Sequence, residues 1–194
     1  MSIIYQAELT PGKREIIAGW LPEQPWRDGA GDVVLVGAYR FDDPAGEVGI
    51  EVHLVRSGSG PVQQVPLSYR GAAVPELRNV LVGTMEHSVL GTRYVYDATG
   101  DPVFIAELER VIRDADTQTP LMVIQDDGTE VERAAGVTVR GSGDAAPETG
   151  WAILRTPRPL TDSEHPSGLV GDIRTPLDGS APGRYAFVAA SAEA

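Results

Sequence analysis

The chain has 194 residues, 42% hydrophobic and 23% charged, enough for one sizeable core or at most two small ones. A net charge of -12 argues against nucleic acid or an anionic membrane as partner, because both demand clustered Lys and Arg. With no cysteine there is no disulfide, no thiolate nucleophile and no Cys-ligated zinc, which fits a reducing compartment. The opening MSIIYQAELTPGKR lacks the basic-then-apolar layout of a signal peptide, and no apolar run approaches the roughly 20 residues that span a bilayer. A soluble, cytoplasmic protein is expected. Fifteen of the sixteen basic residues are arginine, and Lys13 is the one lysine.

In chain order, Ser2 to Leu9 reads as a first strand, and Thr10-Pro11 as the cap and first position of a short helix that runs to about Trp20, where Pro22 and Pro25 end it. Asp32 to Asp42 is strand-like, Asp42-Asp43-Pro44-Ala45-Gly46 is turn chemistry, and Glu47 to Arg56 returns as the hairpin partner. Strands at Val62 to Arg70, Asn79 to Val89 and Thr92 to Asp97 follow with short connections, the pattern of an antiparallel meander. Asp101-Pro102 opens a helix through about Asp114, with Val103, Leu108, Val111 and Ile112 as its apolar stripe. Two more strands fall at Leu121 to Gln125 and Val131 to Arg140, around the acidic turn Asp126-Asp127-Gly128. Beyond them, 141–150 is rich in Gly, Ala and Pro, and 156–182 carries five prolines with almost no periodicity. The expectation is one α+β domain over 1–194, a curved antiparallel sheet with a few flanking helices. Its core lies at about 1–143, a loop-rich part at 144–183 and a closing strand at 184–190.

Alternation places Val48, Ile50, Val52 and Leu54 on one face of the return strand and Glu47, Gly49, Glu51 and His53 on the other. In the next strand Val65, Leu67 and Tyr69 oppose Gln64, Ser68 and Arg70. A sheet with one buried and one polar face follows, and on the polar face Glu51, His53, Ser68, Arg70 and Glu86 can gather as a ligand-binding set. Three uses compete with a plain solvated face that carries cross-strand ion pairs. As metal ligands, Glu51 and His53 stand about 7 Å apart on one face, but two donors do not make a site, and no metal is expected. As a glycosidase pair, Glu47 and Glu51 stand about 13 Å apart, beyond the roughly 5 to 9.5 Å that such chemistry uses. Recognition of a sugar or a protein by hydrogen bonding is the third.

No catalytic constellation emerges. His87 falls with Leu81, Gly83, Met85 and Val89 as a half-buried histidine, and His165 lies in the loose tail. Gly141-Ser142-Gly143-Asp144-Ala145-Ala146 has the GxGxxA spacing, yet Pro147 and Gly150 stand where a phosphate-binding helix would start. Gly12-Lys13 is followed by Arg14 rather than the Ser or Thr of a phosphate-binding loop, and there is no GxSxG elbow. Trp20 and Trp26, beside Pro22 and Pro25, read as corner packing more than as a sugar platform.

Three strings carry a resemblance: GAYRFDDPAGEVGIE (37–51), QVPLSYRG (64–71) and GTMEHSVLGTRYVYDATGDPVF (83–104). Over roughly 3–143 the chain resembles the N-terminal cap domain of bacterial maltokinases and related sugar kinases. The resemblance implies a curved antiparallel sheet with flanking helices and no catalytic residue of its own. Phosphoryl transfer in kinase-like folds needs a strand-borne Lys, a catalytic-loop Asp and Mg²⁺ ligands. Here Lys13 is expected on a helix, no histidine opens a His-x-Asp sequence, and no second lobe fits the length. A branching-enzyme barrel of about 250 residues does not fit either. The expectation is a stand-alone, non-catalytic cap-like module without cofactor, acting on a sugar kinase or glucan-metabolising enzyme in α-glucan, maltose or aminosugar metabolism. Edge strands favour a homodimer. The alternatives are a direct sugar or metabolite binder using the polar face with Tyr39, Tyr94, Trp26 or Trp151, and an unrecognised carbohydrate-active enzyme.

Overall fold

The computed structural model describes residues 3–4, 8–124, 129–132, 135–173 and 183–191. Asp43 sets the first hairpin, between β3 (Val33–Asp42) and β4 (Val48–Ser57). Its carboxylate accepts the backbone N–H groups of Ala45, Glu47 and Val48 at 2.9–3.0 Å, and Gly46 takes a φ of 72° that L side chains avoid. β5 (Val62–Arg70) then pairs along the whole of β4.

The next two strands depart from a meander. A 3-10 turn over Pro75–Val80 carries the chain outward, so that β6 (Leu81–His87) lies one strand away and β7 (Gly91–Asp97) returns to fill the gap beside β5. Tyr96 fixes this crossing, because its hydroxyl accepts the N–H of Val74 at 2.9 Å. With β2 (Leu9–Thr10) the curved antiparallel sheet has the order β2-β6-β7-β5-β4-β3.

Both faces of β4 and β5 are covered, which overturns the expectation of one polar face there, while Thr84, Glu86 and Thr92 stay exposed at the β6–β7 end. On one side lies α1 (Lys13–Trp20), which starts after Gly12 rather than at Pro11; the Gly12 N–H is held by the Glu15 carboxylate at 2.8 Å. Ile16, Ile17 and Leu21 pack there against Val33, Val55, Val65, Leu67, Met85 and Val95. On the other side lies α2 (Pro102–Arg113), with Asp101 as its cap, as the sequence implies. Phe104, Leu108, Val111 and Ile112 meet Tyr39, Phe41, Ile50, Val52 and Leu54.

The rest of the second cover comes from the stretch expected to be loop-rich. β11 (Trp151–Pro159), β12 (Leu169–Ile173) and β13 (Gly183–Ala190) join β10 (Val137–Gly141) in a sheet ordered β10-β12-β13-β11. Pro157 and Pro159 hide β11 from a reading of periodicity, yet β11 is an edge strand, where a missing N–H is tolerated. Val137, Val139, Leu169, Ile173, Phe187 and Val188 are its contribution to the core. The closing strand forms where expected, as β13. Of the two further strands, the second is interrupted: β8 (Met122–Ile124) and β9 (Glu130–Glu132) form a small sheet with β1 (Ile3–Ile4), and Val137 onward belongs to β10. The Asp126-Asp127-Gly128 turn lies outside the described residues. No helix among the described residues is long and apolar enough to cross a membrane.

Gln64 stitches the two sheets together. Its Nε2 donates to the carbonyls of Leu154 (2.7 Å) and Phe187 (2.9 Å), and its Oε1 accepts from the Tyr39 hydroxyl (2.7 Å). A buried amide with these partners costs little, whereas an unpaired one would be expensive.

β10 runs so close to the end of α2 that only glycine fits at 141. A Cβ there would lie 2.0 Å from the Val111 carbonyl oxygen and 2.5 Å from the Ile112 Cα. Gly141→Ala is expected to destabilise by roughly 2 to 3 kcal/mol, through forced backbone displacement. Gly46→Ala, strained in φ but in open space, should cost only about 1 kcal/mol. Denaturant unfolding of the two variants checks the difference.

Candidate functional site

The pairing register divides the five residues expected to share a face. Side chains directly opposite in an antiparallel pair point the same way. Glu51 stands opposite Leu67 and His53 opposite Val65, on the α1 side, whereas Ser68 stands opposite Ile50 and Arg70 opposite Val48, on the α2 side. Glu86, opposite Thr92 and so on the face of Tyr94 and Arg70, lies two strands away from that pair, exposed near the β6–β7 turn, where it accepts a hydrogen bond from the Thr92 hydroxyl at 2.8 Å. Alternation within each strand is legible from sequence, but the offset between strands is not, and a slip of one residue exchanges the faces.

On the α1 side, Glu51 and His53 gather two residues that sequence reasoning placed elsewhere. Lys13, from the first turn of α1, donates to the Glu51 carboxylate. Tyr69, assigned to the apolar set with Val65 and Leu67, brings its hydroxyl within 2.9 Å of His53 Nε2. The Lys13 ammonium stands 5.8 Å from the Tyr69 ring centre. His53 is only 2% exposed, and burial pushes its pKa from 6.5 to about 4, so the ring is neutral near pH 7. Burial acts to raise the pKa of Glu51, but attraction to His53, Lys13 and Arg40 outweighs it and holds the carboxyl below its ordinary range. The Tyr69 hydroxyl is raised well above 10 by burial and by Glu51. A neutral imidazole sealed under a helix reaches no substrate, and a general base must. The group works instead as a polar anchor for α1.

On the α2 side, Ser68 and Arg70 converge on Asp101. Arg70 grips it with two bonds, Nε to Oδ2 at 2.9 Å and Nη2 to Oδ1 at 2.7 Å, and the Ser68 hydroxyl donates to Oδ2 at 2.6 Å. The Val103 N–H donates to Oδ1 at 3.0 Å, so the same carboxylate caps α2. Burial acts to raise its pKa, but the bonds from Arg70, Ser68 and Val103 hold it below the ordinary carboxylate range. Nearby, Arg155 donates to Asp97 at 2.8 Å and lies 4.1 Å over the Trp26 ring, which also packs against Trp20 at 5.8 Å. Trp26 thus has the corner-packing role expected of it. Tyr39 is 3% exposed and bonded to Gln64.

His87 is half-buried, as expected, and its Nδ1 accepts the N–H groups of Val89 and Leu90 at 3.2 Å in the hairpin turn. His165 is exposed. Gly141 closes β10, and no helix follows it among the described residues. Among the described residues no group of three or more His, Cys, Asp or Glu side chains is placed to hold a metal ion.

Residues 20–101 match the family model of the maltokinase N-terminal cap domain. The matched stretch takes in β3 to β7, the Glu51–His53–Tyr69 group and the Asp101 clamp, and leaves out Lys13, α2 and the second sheet. No curated protein matches the chain.

Two outcomes follow for stability. Asp101→Ala leaves Arg70 without its partner and α2 without its cap. Its cost is expected at roughly 2 to 4 kcal/mol, discounted because Arg70 reaches solvent, and well above that of Ser68→Ala. For His53, the unfolded chain binds a proton below pH 6.5 while the folded chain waits until about 4. Stability should therefore be full above pH 6.5 and decline as pH falls to about 4, by about 3 kcal/mol. His53→Gln should flatten that limb of an unfolding free energy against pH curve.

Proposed function

We propose that this protein, whose residues 20–101 match the maltokinase N-terminal cap domain model, is a non-catalytic module that acts by binding a partner enzyme, a sugar kinase or a glucan-metabolising enzyme. The observation that carries the reading is the engagement of the sheet's polar groups. Glu51 is held by Lys13, His53 by Tyr69, and Ser68 and Arg70 by Asp101, so the polar side chains of each group are already bonded within that group. The single lysine of the chain lies on a helix in an ion pair, whereas phosphate-gripping lysines of kinase-like folds stand on a strand.

The outer edge of β6 supports contact with a protein. β2 pairs only with Glu86 and His87, so no described strand pairs with Leu81 to Met85 on that side. Leu81, Val89 and Leu90 are 43%, 54% and 48% exposed around it. Open backbone beside exposed apolar side chains is the physical basis of strand addition. A second copy of this chain can use the same edge, and a dimer mass by light scattering would identify that case.

Mixed with a purified maltokinase, or with a purified glucan-metabolising enzyme, the chain should co-elute in size-exclusion chromatography. Leu81→Asp with Leu90→Asp should weaken that complex at least about tenfold without shifting the melting midpoint by more than about 2 °C. Maltose or glucosamine at about 10 mM should leave the midpoint of the free chain unmoved, because only a bound ligand stabilises by mass action. Co-elution that fails with both classes of enzyme, or a clear stabilisation by either sugar, would reject the reading.

A further inference from the structure

The outward face of the second sheet carries a second polar constellation, made from residues that neither anchor a helix nor belong to the cap segment. The register lines up Thr138 on β10, Asp172 on β12 and Arg184 on β13 in one row, and Arg140, Val170 and Ala186 in the next. The opposite face of the same strands sends Val137, Val139, Leu169, Ile173 and Phe187 into the core. Thr117 closes one side through a single bridge to Arg140. Together they line a groove of 290 Å³, at the small end of ligand sites, which run from roughly 300 to 1,000 Å³.

The cations in this groove are oriented but not neutralised. Arg140 donates through Nε to the Ala115 carbonyl at 3.2 Å, and Arg184 donates through Nη1 to the Glu164 carbonyl at 3.1 Å. Each bond fixes an arm and leaves further N–H groups to face the groove, and neither arginine has a carboxylate partner among the described residues. Around the main sheet Arg70 has Asp101, Arg155 has Asp97 and Lys13 has Glu51, whereas Arg27 and Arg93, like the groove pair, bond to backbone carbonyls. In a chain of net charge -12, two guanidiniums left open around one groove make a local anion site, since planar guanidiniums match phosphoryl and carboxyl oxygens.

Asp172 narrows the ligand class. It lies directly between Thr138 and Arg184 in the row and would repel a bare anion, but it accepts hydrogen bonds from hydroxyl groups. The Thr117 and Thr138 hydroxyls add donors and acceptors, and Val170 supplies an apolar patch for C–H groups. No aromatic side chain lines the groove, which disfavours a nucleobase. We infer that this groove is a binding site for a small polyhydroxylated anion, a sugar phosphate or a sugar acid, with Arg140 and Arg184 holding the anion and Asp172 and Thr138 the hydroxyls. The site is independent of the β6 edge, so partner binding and groove binding can fail separately.

Isothermal titration at low ionic strength, where surface charge is least screened, tests it with four probes: glucose 6-phosphate, glucuronate, glucose and inorganic phosphate. At least one of the two sugar anions should bind with a Kd of about 1 mM or tighter, and glucose and phosphate should each bind at least about tenfold more weakly. A preference between the two sugar anions identifies the anionic group. Arg140→Ala with Arg184→Ala should reduce that affinity at least about tenfold with an unchanged melting midpoint; if the double variant does not fold, the exposed Arg140→Gln alone carries the same expectation. Asp172→Asn should weaken the sugar anion and leave inorganic phosphate unaffected or tighter. Affinity unchanged in the arginine variants, inorganic phosphate equal to the sugar anions, or no heat from either sugar anion up to about 10 mM would overturn the assignment.

Discussion

The Asp101 carboxylate is the constraint on which the layering depends. A carboxylate with no exposed surface is tolerated only where charge and hydrogen bonds replace water, and here a guanidinium, a hydroxyl and a helix-cap N–H replace it together. Because Ser68 and Arg70 belong to β5 and the N–H belongs to α2, satisfying the charge fixes where the helix begins relative to the sheet. From that point α2 lies across Tyr39, Phe41 and Ile50, and the second sheet packs beside it. Gln64, four residues before Ser68 on the same strand and face, repeats the logic with a neutral group and ties β5 to β11 and β13.

Features whose physics is local were legible in the sequence. The Asp43-Gly46 turn, the Asp101-Pro102 helix start, the α2 stripe and the closing strand each rest on a few adjacent residues, and each is present. What failed was long-range. Glu51, His53, Ser68 and Arg70 look equivalent when each strand is read alone, and only the Val52–Pro66 register sorts them onto opposite faces. Tyr69 was read as apolar packing, although its hydroxyl is the partner that a buried His53 requires. The pairing of β5 with β7 depends on a 3-10 crossing at Pro75–Val80 that resembles any other short connection. Prolines hid β11, because a rule that demotes proline inside strands says nothing against an edge strand.

Covering both faces changes where a ligand or partner can meet this protein. A sheet with one wet face offers a platform several strands wide, whereas here β4 and β5 are covered on both faces and the exposed Thr84, Glu86 and Thr92 lie at the β6–β7 end. Four of the polar residues once expected on that platform, Glu51, His53, Ser68 and Arg70, serve as anchors, one pair for each cover. His53 shows the cost of the arrangement: a titratable ring held neutral under α1 makes the packing of that helix sensitive to acid, while Lys13, its neighbour through Glu51, keeps the carboxylate charged.

The distribution of charge separates anchoring residues from those free to act outward. Anchoring arginines point along the main sheet toward a carboxylate that is itself buried or capped, and their geometry is bidentate or stacked, as at Arg70 and Arg155. Arg140 and Arg184 bond only to carbonyl oxygens, which orient a guanidinium without cancelling its charge. An acidic chain that retains such a pair in one groove holds a positive site against its overall field, and that field repels anions from most of the remaining surface. Selectivity for an anion at this one place then follows from the background as much as from the groove.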